Sequence, residues 1–190
     1  GEFPPQQGGL GDFTRCLATA LADEGVLVTV LAPRAARSDA AYPFTVLAEA
    51  LGWGLGDLRR MARLAPQFDV VNLQYQAAAY GMKAPIHLLP WATRAIPMVT
   101  TFHDLRVPYL FPKAGPARRW AVRGLLRGST AAIVTNEEDL AAARAESPGA
   151  RLNLVRIGSN VDPTPVSEEA RRGFRERLGI PVEALVVSYF

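Results

Sequence analysis

Only one cysteine, Cys16, stands among the 190 residues. No internal disulfide can staple the fold, and no Cys/His group has metal-ligand spacing. That usage fits a reducing compartment. Apolar runs of the roughly 20 residues that span a bilayer are missing, as is a signal-peptide pattern at the start. The chain therefore reads as cytoplasmic, with a peripheral place at the inner face of the membrane as an open alternative. Repeats and low-complexity segments are also lacking. With 49% hydrophobic and 21% charged residues, the balance is that of an ordinary globular chain. Its length suits one domain plus a fragment, and folding can hide roughly 70% of the extended surface of such a chain.

Acid is the second scarcity. From Val70 to Asn136 the only acidic residue is Asp104, against Lys83, Arg94, Arg106, Lys113, Arg118, Arg119, Arg123 and Arg127. Eight bases and one acid give that stretch +7, which leaves −4 for the rest of a +3 chain. One side of the molecule is expected to be basic, which favours phosphate-bearing or anionic-surface partners. A solvated basic face without a partner is the plain alternative.

Short apolar runs alternate with amphipathic stretches. Val26–Ala32, Val70–Tyr75, Met98–Phe102, Ala131–Thr135 and Leu152–Ile157 are rich in Val, Ile and Thr and bounded by Pro, Gly or Asp, which predicts buried strands. Helices are predicted over Leu10–Glu24, ending at Gly25, and over Leu55–Leu64, Ile86–Ala95, Ala117–Leu126 and Glu137–Glu146. Continuous apolar strands separated by helices imply an α/β domain with a doubly wound, mostly parallel, Rossmann-like sheet. Such a unit begins with a strand feeding its glycine loop, and only Gly1, Glu2 and Phe3 precede Pro4-Pro5, so either a first strand is missing or the sheet is completed otherwise. The segment from Gly158 to Pro165 reads as an interdomain linker. A helix over Glu168–Leu178 and a strand over Leu185–Phe190 follow. Residues 1–163 are thus expected to form one domain, and 164–190 a linker and the start of a second.

Four motifs carry chemistry. Gly8, Gly9 and Gly11 open the first helix, where glycines let the backbone approach a ligand and the helix start offers unpaired N–H groups and partial positive charge. Thr14 stands where the dinucleotide fingerprint needs a third glycine, and no Gly-Lys-Ser/Thr follows for a P-loop. A plain tight turn remains open for this loop. His103, in Thr100-Thr-Phe-His-Asp104, ends a strand, the position where open α/β sheets bind ligands; an imidazole there can bond a hydroxyl or move a proton. A histidine satisfied by backbone is the alternative, and His87, inside a helix pattern, is read as structural. Gln74, Tyr75 and Gln76 close another strand with groups suited to hydroxyl-rich ligands, or simply close a loop. Arg119, Arg123 and Arg127, four apart, form a stripe that could hold an acceptor phosphate, lie on anionic lipid or face solvent.

Five segments, PPQQGGLGDFTRCLATALADEGVLVTVLAP, FDVVNLQY, VTTFHDL, AAIVTNEEDL and RIGSNVDP, resemble in that order the group 1 family of retaining glycosyltransferases with the GT-B architecture, also called family 4. The resemblance covers nearly the whole chain. It implies two Rossmann-like domains across a cleft, the N-terminal one binding the acceptor and the C-terminal one a nucleotide-activated sugar. It implies no metal and no cofactor, the nucleotide sugar being a substrate. Carried over by position, Gly8, Gly9 and Gly11 approach the donor's sugar and diphosphate, and His103 lines the reaction centre. Tyr75 and Asp104 fall where relatives contact the acceptor, and Arg123 near a helical arginine that serves a phosphorylated acceptor in some of them; Asp12 and Gln74, placed beside these, are also assigned to the acceptor. The basic pair for the diphosphate and the paired glutamates of the family belong to the C-terminal domain.

The implied partners are a nucleotide-sugar donor and a hydroxyl acceptor (a glycan, a lipid or a small polyol), with peripheral contact to anionic membrane and no nucleic acid. The fragment alone is expected to be inactive. Two readings compete. Half of a sugar-nucleotide 2-epimerase would need cleft carboxylates, which the acid-poor stretch does not supply; a glycan- or anionic-membrane-binding module would use the basic face. The family reading further expects the glycine loop and His103 to meet at one rim of the sheet.

Overall fold

The computed structural model describes residues 1–105, 115–158 and 164–187, with 115–118 described by backbone alone. Arg106, Lys113 and the side chain of Arg118 therefore lie outside the described residues. Contacts divide the chain into two units, Gly1–Gly158 and Ser159–Phe190.

The first unit runs α1 (Gly9–Asp23), β1 (Thr29–Pro33), β2 (Thr45–Ala50), α2 (Leu55–Leu64), β3 (Val71–Tyr75), α3 (Leu89–Ala92), β4 (Met98–Phe102), α4 (Gly115–Gly128), β5 (Ala131–Val134), α5 (Glu137–Glu146) and β6 (Leu152–Leu154). Each strand pair is parallel. The strands form a four-stranded sheet in the order β3-β4-β5-β6 and a separate pair β1-β2. This is the expected α/β, Rossmann-like architecture, but with its sheet in two pieces. Residues of both β1 and β3 line a largely apolar cavity of about 270 Å³, together with Phe3, Leu10 and Leu21. Among the described residues no strand lies between them.

Strand alternation sorts the chemistry onto two faces. Leu73, Tyr75, Phe102 and Val134 join Val122, Leu125 and Leu126 of α4 in the main core. Tyr75 and Phe102 are buried almost completely, and each such side chain contributes about 2–3 kcal/mol. Asn72, Gln74, Thr101 and the residue after β4, His103, alternate onto the opposite face. α1 covers that face, since the Phe13 ring meets the His103 ring edge-on with centroids 4.7 Å apart.

Several elements depart from the sequence reading for identifiable reasons. β1 starts at Thr29 rather than Val26 because the end of α1 uses those residues: Gly25 takes φ +83°, its N–H donates to Ala22 O and that of Val26 to Leu21 O. This closure leaves Val26 and Leu27 exposed. β2 was not predicted. The helix predicted over Ile86–Ala95 is a 3-10 segment, Ala84–Leu88, followed by the single turn of α3. Pro90 has no N–H to continue a helix begun at Ile86, so a new turn starts around it. β5 and β6 end at Val134 and Leu154, short of the predicted Thr135 and Ile157. α2 and α5 match their predicted bounds. At α5, Asn136 Oδ1 accepts from Asp139 N at 2.7 Å and three acids fill the first turn.

The second unit holds α6, Glu168–Arg177, capped by Ser167 Oγ accepting from Ala170 N at 3.1 Å and followed by Gly179 at φ +65°. Arg175 donates to the carbonyls of Pro181, Val182 and Ala184. None of α6 is buried. The strand predicted over Leu185–Phe190 does not form over 185–187, where no ladder partner occurs among the described residues; 188–190, like 159–163 of the linker expected over 158–165, lie outside them.

Candidate functional site

The site grows from the parallel register of β3 and β4, which sets Gln74 opposite Thr101 and Tyr75 opposite Phe102. The ladder extends one step further, with His103 N donating to Tyr75 O at 3.0 Å. His103 is thereby fixed at the carboxyl end of the sheet, and its ring turns to the face it shares with Gln74. Its Nε2–H donates to Gln74 Oε1 at 2.7 Å. Gln74 in turn donates through Nε2 to Asn72 Oδ1 at 2.6 Å and, at 3.4 Å, to Thr101 Oγ1. Four polar side chains thus form one neutral relay at the strand ends.

Burial lowers the His103 pKa from 6.5 to about 4. The group on its Nε2 is an amide, which offers no negative charge to offset that desolvation. At neutral pH the imidazole is uncharged, and with Nε2 carrying the proton, Nδ1 is an acceptor.

α1 brings the glycine loop to this rim, because Phe13, which touches His103, lies one helical turn beyond Gly9. Gly8 is the N-cap, has no side-chain cap bond, and accepts from Asp12 N through its carbonyl. The three glycines differ in what surrounds them. A methyl group at Gly11 would come within 3.1 Å of the Phe3 backbone, so this glycine permits close packing of the helix start on the preceding chain. At Gly8 a methyl would overlap the Glu2 carboxylate. Gly9 is exposed and has nothing within 4 Å of its added carbon; it is the open part of the loop. Asp12, half-buried, sits in the first turn of α1, and Asp104, half-buried, follows His103 at the end of β4.

The remaining candidates are placed elsewhere. Tyr75 is 1% exposed, and its hydroxyl donates to His87 Nε2 at 2.8 Å while His87 Nδ1–H donates to Ala84 O. Tyr75 is a wall behind the rim, and His87 ties the 3-10 segment to β3. Arg119 and Arg123 converge on Glu146: Arg119 Nε reaches Oε1 at 2.7 Å and Arg123 Nη2 reaches Oε2 at 2.9 Å. Partial burial pushes the Glu146 carboxyl up, but the hydrogen bonds and charges of both arginines outweigh it and hold the group below its ordinary value.

The match to a family model decides the class: residues 7–159 fit the model described as Glycosyltransferase Family 4, more than half of the chain. The chain belongs to glycosyltransferase family 4. No curated protein matches it at a significant level. The family match contains the whole rim, from Gly8 to His103, and ends one residue beyond the first structural unit. Among the described residues no helix is long and apolar enough to cross a membrane, and no group of three or more His, Cys, Asp and Glu could hold a metal ion.

Sequence reasoning missed Asn72 and Thr101, which complete the relay, and took Phe13 only as an apolar helix position. Strand alternation from Gln74 and His103 would have placed the first two on the same face. It also missed Asp57, 5% exposed, whose carboxylate accepts from Leu51 N and from Trp53 N at 2.7 Å and shapes the β2–α2 loop. Its signal was an acid at the start of an amphipathic helix after Gly-x-Gly.

Proposed function

We propose that this chain is the acceptor-side domain of a retaining glycosyltransferase, which moves a sugar from a nucleotide-sugar donor to a hydroxyl acceptor. The observation that carries the proposal is the meeting of the α1 start and the His103 imidazole at one rim of the parallel sheet, joined by Phe13. Strand ends of open α/β sheets are where ligands bind. A neutral imidazole with a free lone pair suits a sugar hydroxyl, which donates, better than a phosphate oxygen, which only accepts. The open backbone at Gly9 lets the diphosphate side of the donor approach the positive end of α1.

In this reading the leaving nucleoside diphosphate carries the developing negative charge, and the helix start is one of the groups that stabilise it. The acceptor hydroxyl attacks the anomeric carbon from the face the leaving group departs, and His103 orients the transferred sugar by accepting from one of its hydroxyls. Asp12 and Asp104 flank this place and are assigned to the acceptor. Arg123 and Tyr75 are not, since Glu146 and His87 hold them. A second domain would supply the remaining diphosphate contacts, so the 190 residues alone are expected not to turn over donor.

The test is transfer by the full-length enzyme against a panel of nucleotide sugars, with the product anomer read by NMR. Retention of the donor's anomeric configuration, and loss of turnover in His103→Ala, is expected. An inverted product would overturn the retaining assignment.

A further inference from the structure

Gln74 was singled out as an acceptor contact, yet its amide is committed within the sheet face. We infer that Gln74 is a positioning residue, which holds His103 in the Nε2–H tautomer so that Nδ1 is the nitrogen left to accept from a ligand hydroxyl. The inference rests on the proposed reading of His103 as a sugar-facing group, but it concerns two side chains and is testable without substrate.

The geometry supports it from both ends. Gln74 is 7% exposed, and each of its polar groups has a partner: Oε1 takes the His103 proton, Nε2 donates to Asn72 and Thr101, and the backbone carbonyl accepts from Tyr80 Oη at 2.9 Å. Tyr80 is itself buried, and burial raises its pKa, so its hydroxyl remains a donor. The Gln74 amide therefore sits in a fixed orientation with its oxygen toward the ring. On the histidine side, the backbone is tied to Tyr75 O and the ring leans on Phe13. Among the described residues no other hydrogen bond reaches the ring, and the 2.7 Å bond to Gln74 decides which nitrogen carries the proton.

An amide is chemically suited to this place. A carboxylate on Nε2 would favour the imidazolium, whose Nδ1–H would repel a donating hydroxyl and attract phosphate. An apolar residue would leave the tautomer and the ring angle unfixed. Glutamine holds the ring neutral and aimed, which selects a hydroxyl as its ligand.

The test uses the 190-residue chain and long-range proton–nitrogen NMR at neutral pH. In the wild type, His103 should show the Nε2–H tautomer with a ring proton protected from solvent exchange. Gln74→Met should raise the exchange rate of that proton by about tenfold, the loss of one hydrogen bond. Gln74→Glu, which keeps the accepting oxygen, should restore protection. An Nδ1–H tautomer in the wild type overturns the inference with no variant needed, as does unchanged exchange in Gln74→Met. The functional reading fails separately: it is lost if His103→Ala leaves transfer intact while the ring proton behaves as stated.

Discussion

Two clusters in this domain carry the polar groups that the sequence offers as ligand contacts, and they are built in opposite ways. At the β3–β4 rim, Asn72, Gln74, Thr101 and His103 are neutral, buried or half-buried except for the exposed Asn72, and linked by hydrogen bonds that run from the His103 ring inward to Gln74 and on to Asn72 and Thr101. On α4 and α5, the exposed Arg119 and the half-buried Arg123 are charged and closed on Glu146. The difference shows that charge density alone is a poor guide to a site, because a cation with a carboxylate in reach satisfies itself. A neutral relay at a strand end, by contrast, keeps unused hydrogen-bonding capacity on its imidazole.

The comparison breaks most readily on activity. In the full-length enzyme, His103→Ala should lower kcat/KM about 100-fold, the scale of one positioned group at a reaction centre, while Arg123→Ala should change it less than about threefold. Steady-state transfer assays would show it, and equal losses would erase the contrast. The glycine loop gives the next largest effect. Gly11→Ala forces a carbon against the Phe3 backbone and should cost about 1–3 kcal/mol, seen as a lower urea midpoint. Gly9→Ala meets nothing and should leave the midpoint within about 0.5 kcal/mol, while weakening donor use.

A smaller effect concerns pH. His103 has a folded-state pKa of about 4 against 6.5, so the unfolded chain takes up the proton first as pH falls. Stability from the neutral ring is complete above about 6.5 and is lost as pH drops toward 4. The loss should be on the order of 1 kcal/mol once solvent screening is allowed for. Melting curves of wild type and His103→Asn should converge across that window. The smallest effect belongs to the surface cluster. Glu146→Gln frees Arg119 and Arg123 and should cost less than about 1 kcal/mol, measured by thermal unfolding at low and high salt.

Much of this was legible in the residues. Helices α2 and α5 were found at their bounds, as was β4, because local period and tertiary burial agree there. β1 was shifted since a helix-closing hydrogen-bond pair at Gly25 and Val26 competes with strand pairing, and an apolar run does not reveal which amides are already spent. β2, Thr45–Ala50, was invisible because its Ala-Glu-Ala end has little strand character; pairing with β1 supplies what propensity lacks. At the rim, Gly9 and His103 were readable from type and position. The relay was not, since Gln74 and Thr101 are 27 residues apart and meet only through the β3–β4 register. The Arg119–Arg123–Glu146 cluster was hidden for the same reason: the stripe is visible along one helix, and its neutralising carboxylate comes from another.

The central claim is that the α1 start and His103 form one ligand site. It is tested most directly by NMR titration of the 190-residue chain with nucleotide sugars, following the amides of Gly8–Asp12, the His103 ring and the Arg123 side chain. The account predicts that the loop amides and the imidazole shift together with a single dissociation constant while Arg123 stays still. Shifts at the loop with a silent His103, or at Arg123 alone, would contradict it.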